Sequence, residues 1–348
     1  DELEIDVKAK LDGEYVERLS FIFDCKCFFG TILSVLKHEG VVEGETGKVE
    51  NPLVSIIIPT YRRDETLKKA LISLTEQTYS NLEIILVDDN DNLEWNKKVE
   101  SVANELQEKS LKIRFKYIAN HPNQGSAKAR NIGIESASGS YITFLDDDDI
   151  YLPDKVERQL MHMIQCKSDY SITDLALYHE SGTLSEYRKR DYLNSINTDE
   201  LLKYHLMYHI TGTDTMMFKK KYLTLIGNFD AIDIGDEFYL MLKAIKAGGK
   251  FSYLQGCSVK AYVHTGDNGL SSGQSKIDGE NQLFSYKQQF FSELDTRTIR
   301  YIKMRHYAVL AFAYIRMKKI IPFILNGIKS FISSPSACVK LIVMRKIS

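Results

Sequence analysis

The sequence predicts an α/β fold: a doubly wound, mostly parallel sheet, with a helical, basic C-terminal extension. Three observations carry the prediction. The runs Val54 to Thr60 (VSIIIPT) and Leu82 to Val87 (LEIILV) are apolar without alternation, as strands covered on both faces are. Helix-patterned segments separate the strands at the spacing of β–α–β units. Two acidic clusters, Asp88 to Asp91 and Asp146 to Asp149, directly follow apolar strands. They therefore stand at carboxyl ends of strands, where sheets of this kind bind ligands.

The elements follow in order. Residues 1–50 form an N-terminal extension to which no role attaches; Val41 to Glu50, rich in Gly and Glu, reads as its linker. The main domain begins at Asn51-Pro52 and is expected to run over 51–275. After the first strand, Asp64 caps a helix from about Glu65 to Gln77 with Leu67, Leu71 and Leu74 on one face. The second strand is followed by a charged helix from about Glu94 to Lys109 and a third strand, Ile113 to Ile118. Asn123-Gln124-Gly125 is a turn, and Ser126 starts a helix that Gly139 stops. Tyr141 to Leu145 is a fourth strand. In the less regular second half, a helix runs from Pro153 to about Gln165, and Ser171 to Tyr178 and Asp214 to Phe218 read as strands. A short helix spans Lys220 to Ile226, and a longer one spans Asp236 to Ala247, with Phe238, Leu242 and Ile245 on one face. Phe251 to Leu254 and Val259 to Val263 close the domain as short strands.

Composition narrows the function classes. The formal charge of −2 gives no overall basis for binding nucleic acid. The balance is uneven, however: residues 1–50 hold 12 acids and 6 bases, whereas 296–348 hold 11 Lys or Arg and no acid. Five scattered cysteines suit the reduced thiols of a cytoplasmic protein better than a disulfide framework. No secretory signal pattern opens the chain, and no apolar run reaches the length of a membrane span.

Four adjacent carboxylates at Asp146 to Asp149 repel one another, and burying them is costly unless a cation neutralises them. An all-oxygen site of this kind suits Mg2+ or Mn2+. The plain alternative is a solvated acidic loop.

Five ordered stretches, VSIIIPTYRR, LVDDN, GSAKARNIGIESASGSYITFLDDDD, IGNFDAIDIGDEFYLMLKAIKAGGKF and YVHTGDNGLS, resemble the inverting, GT-A-fold glycosyltransferases of family 2. The resemblance covers roughly Pro52 to Ser272. It implies a GT-A (Rossmann-like) catalytic domain and bacterial surface-polysaccharide chemistry. By position, Pro59, Thr60 and Tyr61 would line the nucleotide-base pocket. Asp89, with Asp88, would accept a hydrogen bond from the base, and Lys128 and Arg130 would lie near the ribose and diphosphate. Asp146, Asp147 and Asp148 cover the family's metal motif, with Asp148 the expected direct ligand beside Asp146. His264 falls where the family often has a histidine near the metal or diphosphate. Asp236 and Glu237 cover the catalytic-base motif, in the reverse of the usual Glu-Asp order. Adjacent helix residues point about 100° apart, so the two cannot serve the acceptor equally. Glu237 is expected to be the base, with Asp236 positioning it.

The expected reaction moves a sugar from a UDP-sugar to a glycan or lipid-linked acceptor. Two other classes compete with it. One is a phospho-receiver built on Asp88-Asp89, and the other is a non-catalytic nucleotide- or glycan-binding subunit of a synthase complex. Residues 276–348 alternate apolar clusters with Lys and Arg, and 296–348 are expected to bind an anionic membrane surface, at the inner face of the plasma membrane. A helical cap on the domain, or an interface in a homo-oligomer, is the alternative use of this tail.

Overall fold

A computed structural model describes residues 51–109, 113–193, 197–232, 235–263 and 273–347. From Pro52 onward the chain forms one compact unit. The expected N-terminal extension and His264 lie outside the described residues.

Strands β1 (Val54–Thr60), β2 (Leu82–Asp88) and β3 (Arg114–Ala119) alternate with helices α1 (Glu65–Thr75), α2 (Leu93–Lys109) and α3 (Ser126–Ser136). Strand β4 (Tyr141–Phe144) leads into the acidic loop, and a two-residue strand, β5 (Ile150–Tyr151), leaves it. Then come α4 (Lys155–Cys166), β6 (Tyr170–Thr173), β7 (Leu175–His179), β8 (Leu184–Arg188), α5 (Thr198–Tyr208), β9 (Met216–Lys219) and α6 (Lys220–Leu225). The remainder is α7 (Asp236–Lys246), β10 (Phe251–Leu254), β11 (Val259–Val263) and the helices α8 (Gly273–Gln288), α9 (Thr296–Arg316), α10 (Ile320–Ser333) and α11 (Pro335–Ile347).

Seven strands form the main sheet in the order β10-β6-β9-β4-β1-β2-β3. Only β9 runs antiparallel to its neighbours. A second sheet, β5-β11-β7-β8, stands beside it. Every residue of β1 and β2 is buried, because apolar layers cover both faces. Ile57, Ile85 and Phe144 pack with α3 and α7 on one side. Ile56, Ile58 and Leu86 pack with α1, α2 and α4 on the other. Each such aliphatic side chain contributes about 1.5–3 kcal/mol of burial.

Polar contacts fix the register around β1. Glu83, 1% exposed, accepts from Ser55 Oγ at 2.6 Å and from the Ser138 amide at 2.7 Å. A Cβ at Gly139 would stand 2.7 Å from Leu53 O and from Ser55 N, so only glycine lets β4 begin there.

The structure corrects three readings of the second half. The expected strand Ser171 to Tyr178 is two strands in different sheets, broken at buried Asp174. Its carboxylate accepts from Arg190 N, Tyr253 Oη, Tyr187 Oη and Gly256 N, which holds the chain at the crossing. The expected strand start at Asp214 is a 3-10 turn, Thr213–Thr215, and β9 begins at Met216. Helix α5 was not expected. Its signal was the capping box Asn197-x-x-Glu200.

Helix α9 is capped by Asp295, which accepts from Thr298 N at 2.9 Å. Helix α10 leaves Ile321, Ile324, Leu325, Ile328, Phe331 and Ile332 among the exposed apolar residues, and α11 leaves Val339, Ile342 and Val343. No helix among the described residues is long and apolar enough to cross a membrane.

Candidate active site

Parallel neighbours β1 and β4 bring their carboxyl ends together, so Thr60 meets the acidic loop. Thr60 Oγ1 donates to Asp147 Oδ2 at 2.8 Å, and the Tyr61 amide donates to the same oxygen at 3.3 Å. Arg63 Nη1 lies 2.6 Å from Asp147 Oδ1 and 2.5 Å from Asp148 Oδ2. Burial pushes Asp147 up to about 6, against the pull of Arg63.

The second half adds a carboxylate that the sequence reading missed. Asp146, Asp149 and Asp214 each offer one oxygen, all within 4.8 Å of one another. Asp214, in the turn before β9, accepts from the Asp146 amide at 2.7 Å. Burial raises both Asp149 and Asp214, Asp214 to about 7. The charge of Asp214 adds to the rise of Asp149 and that of Asp146 to the rise of Asp214, while the hydrogen bond the two carboxyls share opposes the rise of Asp214. Buried carboxyls converging with oxygen-only donors fit a hard divalent cation. The expected ligands were Asp148 and Asp146, with His264, which lies outside the described residues. Asp146 is in this set, while Asp148 turns to Arg63. The only signal for Asp214 was an acid just ahead of an apolar run.

Arg130, 5% exposed on α3, bridges the loop to α7. Its Nη2 lies 2.6 Å from Asp146 Oδ1 and its Nη1 2.7 Å from Asp236 Oδ2. Its guanidinium stands over the Phe229 ring at 5.4 Å, and its Nε has no partner among the described residues. Burial pushes Asp236 up to about 7, with Arg130 opposing. Gly235, not Asp236, occupies the N-cap of α7, so Asp236 is free to hold Arg130.

Glu237 faces the other way. Its Oε1 lies 3.0 Å from His209 Nε2, and it lines a cavity of about 310 Å³ between α5, α7, α8 and α9. Burial, then Lys287 and Arg305, hold His209 well below its ordinary value, so at neutral pH it donates a neutral N–H to the carboxylate.

The residues expected at the nucleotide lie at the ends of β1 and β2 and the start of α3. Pro59 and Thr60 are buried, and Tyr61 is 41% exposed beside Arg62. Asp88 accepts from Asn90 N, Asn90 Nδ2, Asn96 Nδ2 and Tyr117 Oη, which fills both its oxygens. Asp89 accepts from Asn120 Nδ2 and from the amides of Gln124 and Gly125, tying β2 to the turn that starts α3. Lys128 is exposed on the first turn of that helix.

The chain is similar to known proteins. The family described as "Glycosyl transferase family 2" matches residues 55–225. The uncharacterized glycosyltransferase MJ1057 of Methanocaldococcus jannaschii is 31% identical over 243 residues, 69% of this chain and 79% of that protein. WfgD of Escherichia coli, a UDP-Glc:alpha-D-GlcNAc-diphosphoundecaprenol beta-1,3-glucosyltransferase, is 34% identical over 139 residues, 40% of this chain and 52% of that protein. Among solved structures, S. aureus TarS 1–349 in complex with UDP-GlcNAc covers 80% of this chain and 90% of its own, with a TM-score of 0.52 at 17% identity. That likeness identifies the fold as GT-A, with helices following the catalytic domain.

Proposed function

The chain belongs to glycosyltransferase family 2, and we propose that it moves a sugar from a nucleotide sugar, a UDP-sugar, to a glycan or lipid-linked acceptor, with inversion at the anomeric carbon. One observation carries the reading. The ion-pair chain Asp146–Arg130–Asp236 joins the carboxylate cluster to the residue just before Glu237, so donor-side and acceptor-side groups share one scaffold.

Asp146, Asp149 and Asp214 would hold Mn2+ or Mg2+. That ion would supply positive charge to the diphosphate as it leaves. On the protein's side, Thr60 and Tyr61 hold the nucleotide end, Asp89 braces the turn that starts α3, and Lys128 stands at that helix start, toward the phosphates. Arg130 carries its charge into a dry site, where it acts with little reorganisation. Glu237 takes the proton of the acceptor hydroxyl, and His209 Nε2–H fixes one of its oxygens and leaves the other toward the cavity. Attack from that side in a single displacement inverts the anomeric centre.

The exposed apolar side chains of α10 and α11, flanked by Lys318, Lys319, Lys329 and Lys340, suit the surface of an anionic bilayer. We place the protein in the cytoplasm, at the inner face of the plasma membrane. WfgD, whose named acceptor is a diphospholipid, supports an acceptor of this kind.

Incubation with UDP- and GDP-sugars and Mn2+ tests the reading. The expected result is release of nucleoside diphosphate from a UDP-sugar, faster with acceptor present, and an inverted product. Binding of donors without any hydrolysis or transfer would instead favour a non-catalytic subunit.

A further inference from the structure

We propose that the cavity lined by Glu237 is an anion subsite for the acceptor, taking a phosphate or diphosphate group carried next to the sugar that is extended. The proposal rests on the reading of Glu237 given above. Arg188, Lys276, Lys287, Arg305 and Arg316 line the cavity. Among the described residues its carboxylates are Glu237 and Glu280, and histidines already engage both, His209 at 3.0 Å and His306 at 3.1 Å. Arg188 is paired with Glu186, whereas Lys287, Arg305 and Arg316 form no ion pair among the described residues.

Lys287 makes this a built site. It is 7% exposed, and its Nζ lies 4.9 Å from the Phe238 ring centroid, next to Glu237. Burial lowers it to about 8, with the charge of Glu280 opposing, as expected for an ammonium held in a dry wall. Leu206, Phe284 and Ile302 make the surrounding wall apolar, which strengthens any charge pairing inside.

The charge count favours phosphate over a single carboxylate. Cations arrive from β8, α8 and α9 and converge on one space, which suits a group with several charges. Guanidinium forks match phosphate oxygens. The donor's diphosphate is not the occupant, because the carboxylate cluster and Arg130 lie on the Asp236 side of α7 and this cavity lies on the Glu237 side.

Calorimetric titration of the full chain with inorganic pyrophosphate in EDTA tests the proposal, since without a divalent ion the donor-side carboxylates repel the probe. The expected result is saturable binding that weakens at least tenfold in Arg305→Gln/Arg316→Gln. Both side chains lie outside the core, so the fold survives the change. No binding to the wild type, or equal binding by both proteins, overturns the subsite. A glucuronate glycoside that binds as tightly as pyrophosphate overturns the phosphate assignment. A sugar 1-diphosphate with and without a short alkyl chain separates the sources. Tighter binding of the alkylated form supports a lipid-linked acceptor, equal binding supports a soluble phosphate ester, and binding of neither overturns the proposal. Donor hydrolysis by the same preparation reports on the transfer reading separately. Its absence, with pyrophosphate still bound through Arg305 and Arg316, would sink that reading and leave an anion site.

Discussion

Asp236 and Glu237 are consecutive residues held by opposite partners: Arg130 lies 2.7 Å from the first and His209 3.0 Å from the second. Their divergence at the start of α7 divides the two acids between the carboxylate cluster and the cavity.

This divergence separates two phenotypes. Glu237→Gln is expected to lower kcat by about two to four orders of magnitude with donor KM little changed, because a general base acts in the transition state. Asp236→Asn is expected to lower thermal stability, because it strips charge from the partner of a buried guanidinium. Steady-state kinetics and thermal melts on both variants check this. If Asp236→Asn is the more damaging to kcat while its melting temperature holds, the roles are reversed.

Asp214→Asn is expected to abolish the stabilisation by Mn2+ that the wild type shows, about 2.7 kcal/mol at a hundredfold excess over the dissociation constant. Without metal the variant should melt no lower than wild type, since it removes one of two buried like charges and keeps the acceptor of the Asp146 amide. EDTA should stop turnover of the wild type. An unaltered Mn2+ shift in the variant would remove Asp214 from the cation set.

Glu83 gives an acid-sensitive lock on the sheet. Burial alone would raise its carboxyl, but hydrogen bonds from Ser55 and Ser138, with Lys116 at 2.9 Å, outweigh that and hold it at about 2. The folded value lies below the ordinary carboxylate range, so its contribution is present above about pH 4.5 and is lost as pH falls toward 2. Glu83→Gln should cost on the order of 2 kcal/mol at pH 7 and flatten the fall in stability across that window. Denaturant unfolding at a series of pH values measures both. Parallel curves for the two proteins would refute the assignment.

Flotation with vesicles of anionic phospholipid probes the tail. The wild type is expected to float, and added salt should reduce the floating fraction. Ile324→Glu/Ile328→Glu, on exposed positions of α10, should stay in the soluble fraction with its fold intact. Flotation by the double variant equal to that of wild type would count against the helix as an anchor.

Local patterning determined much of this protein. Fully apolar β1 and β2, the Leu67-Leu71-Leu74 face of α1 and the strand-end acids are short-range signals, each readable within about ten residues, and they fixed the parallel half of the sheet and the position of the site. The motif order placed Thr60, Asp147, Arg130 and Glu237 in one neighbourhood. Pairings across large separations were not legible. Asp214 joins Asp146 and Asp149 only because β9 runs antiparallel between β4 and β6. Arg130 turns to Asp236, 106 residues away, and not to any neighbour on its own helix. Asp88, expected at a nucleotide base, has its acceptor positions filled by Asn90, Asn96 and Tyr117. A carboxylate's partners depend on which donors reach it once the sheet closes. The sequence specified the acids, and the packing of β9 and α7 decided which of them face a cation, which face Arg130 and which face the cavity.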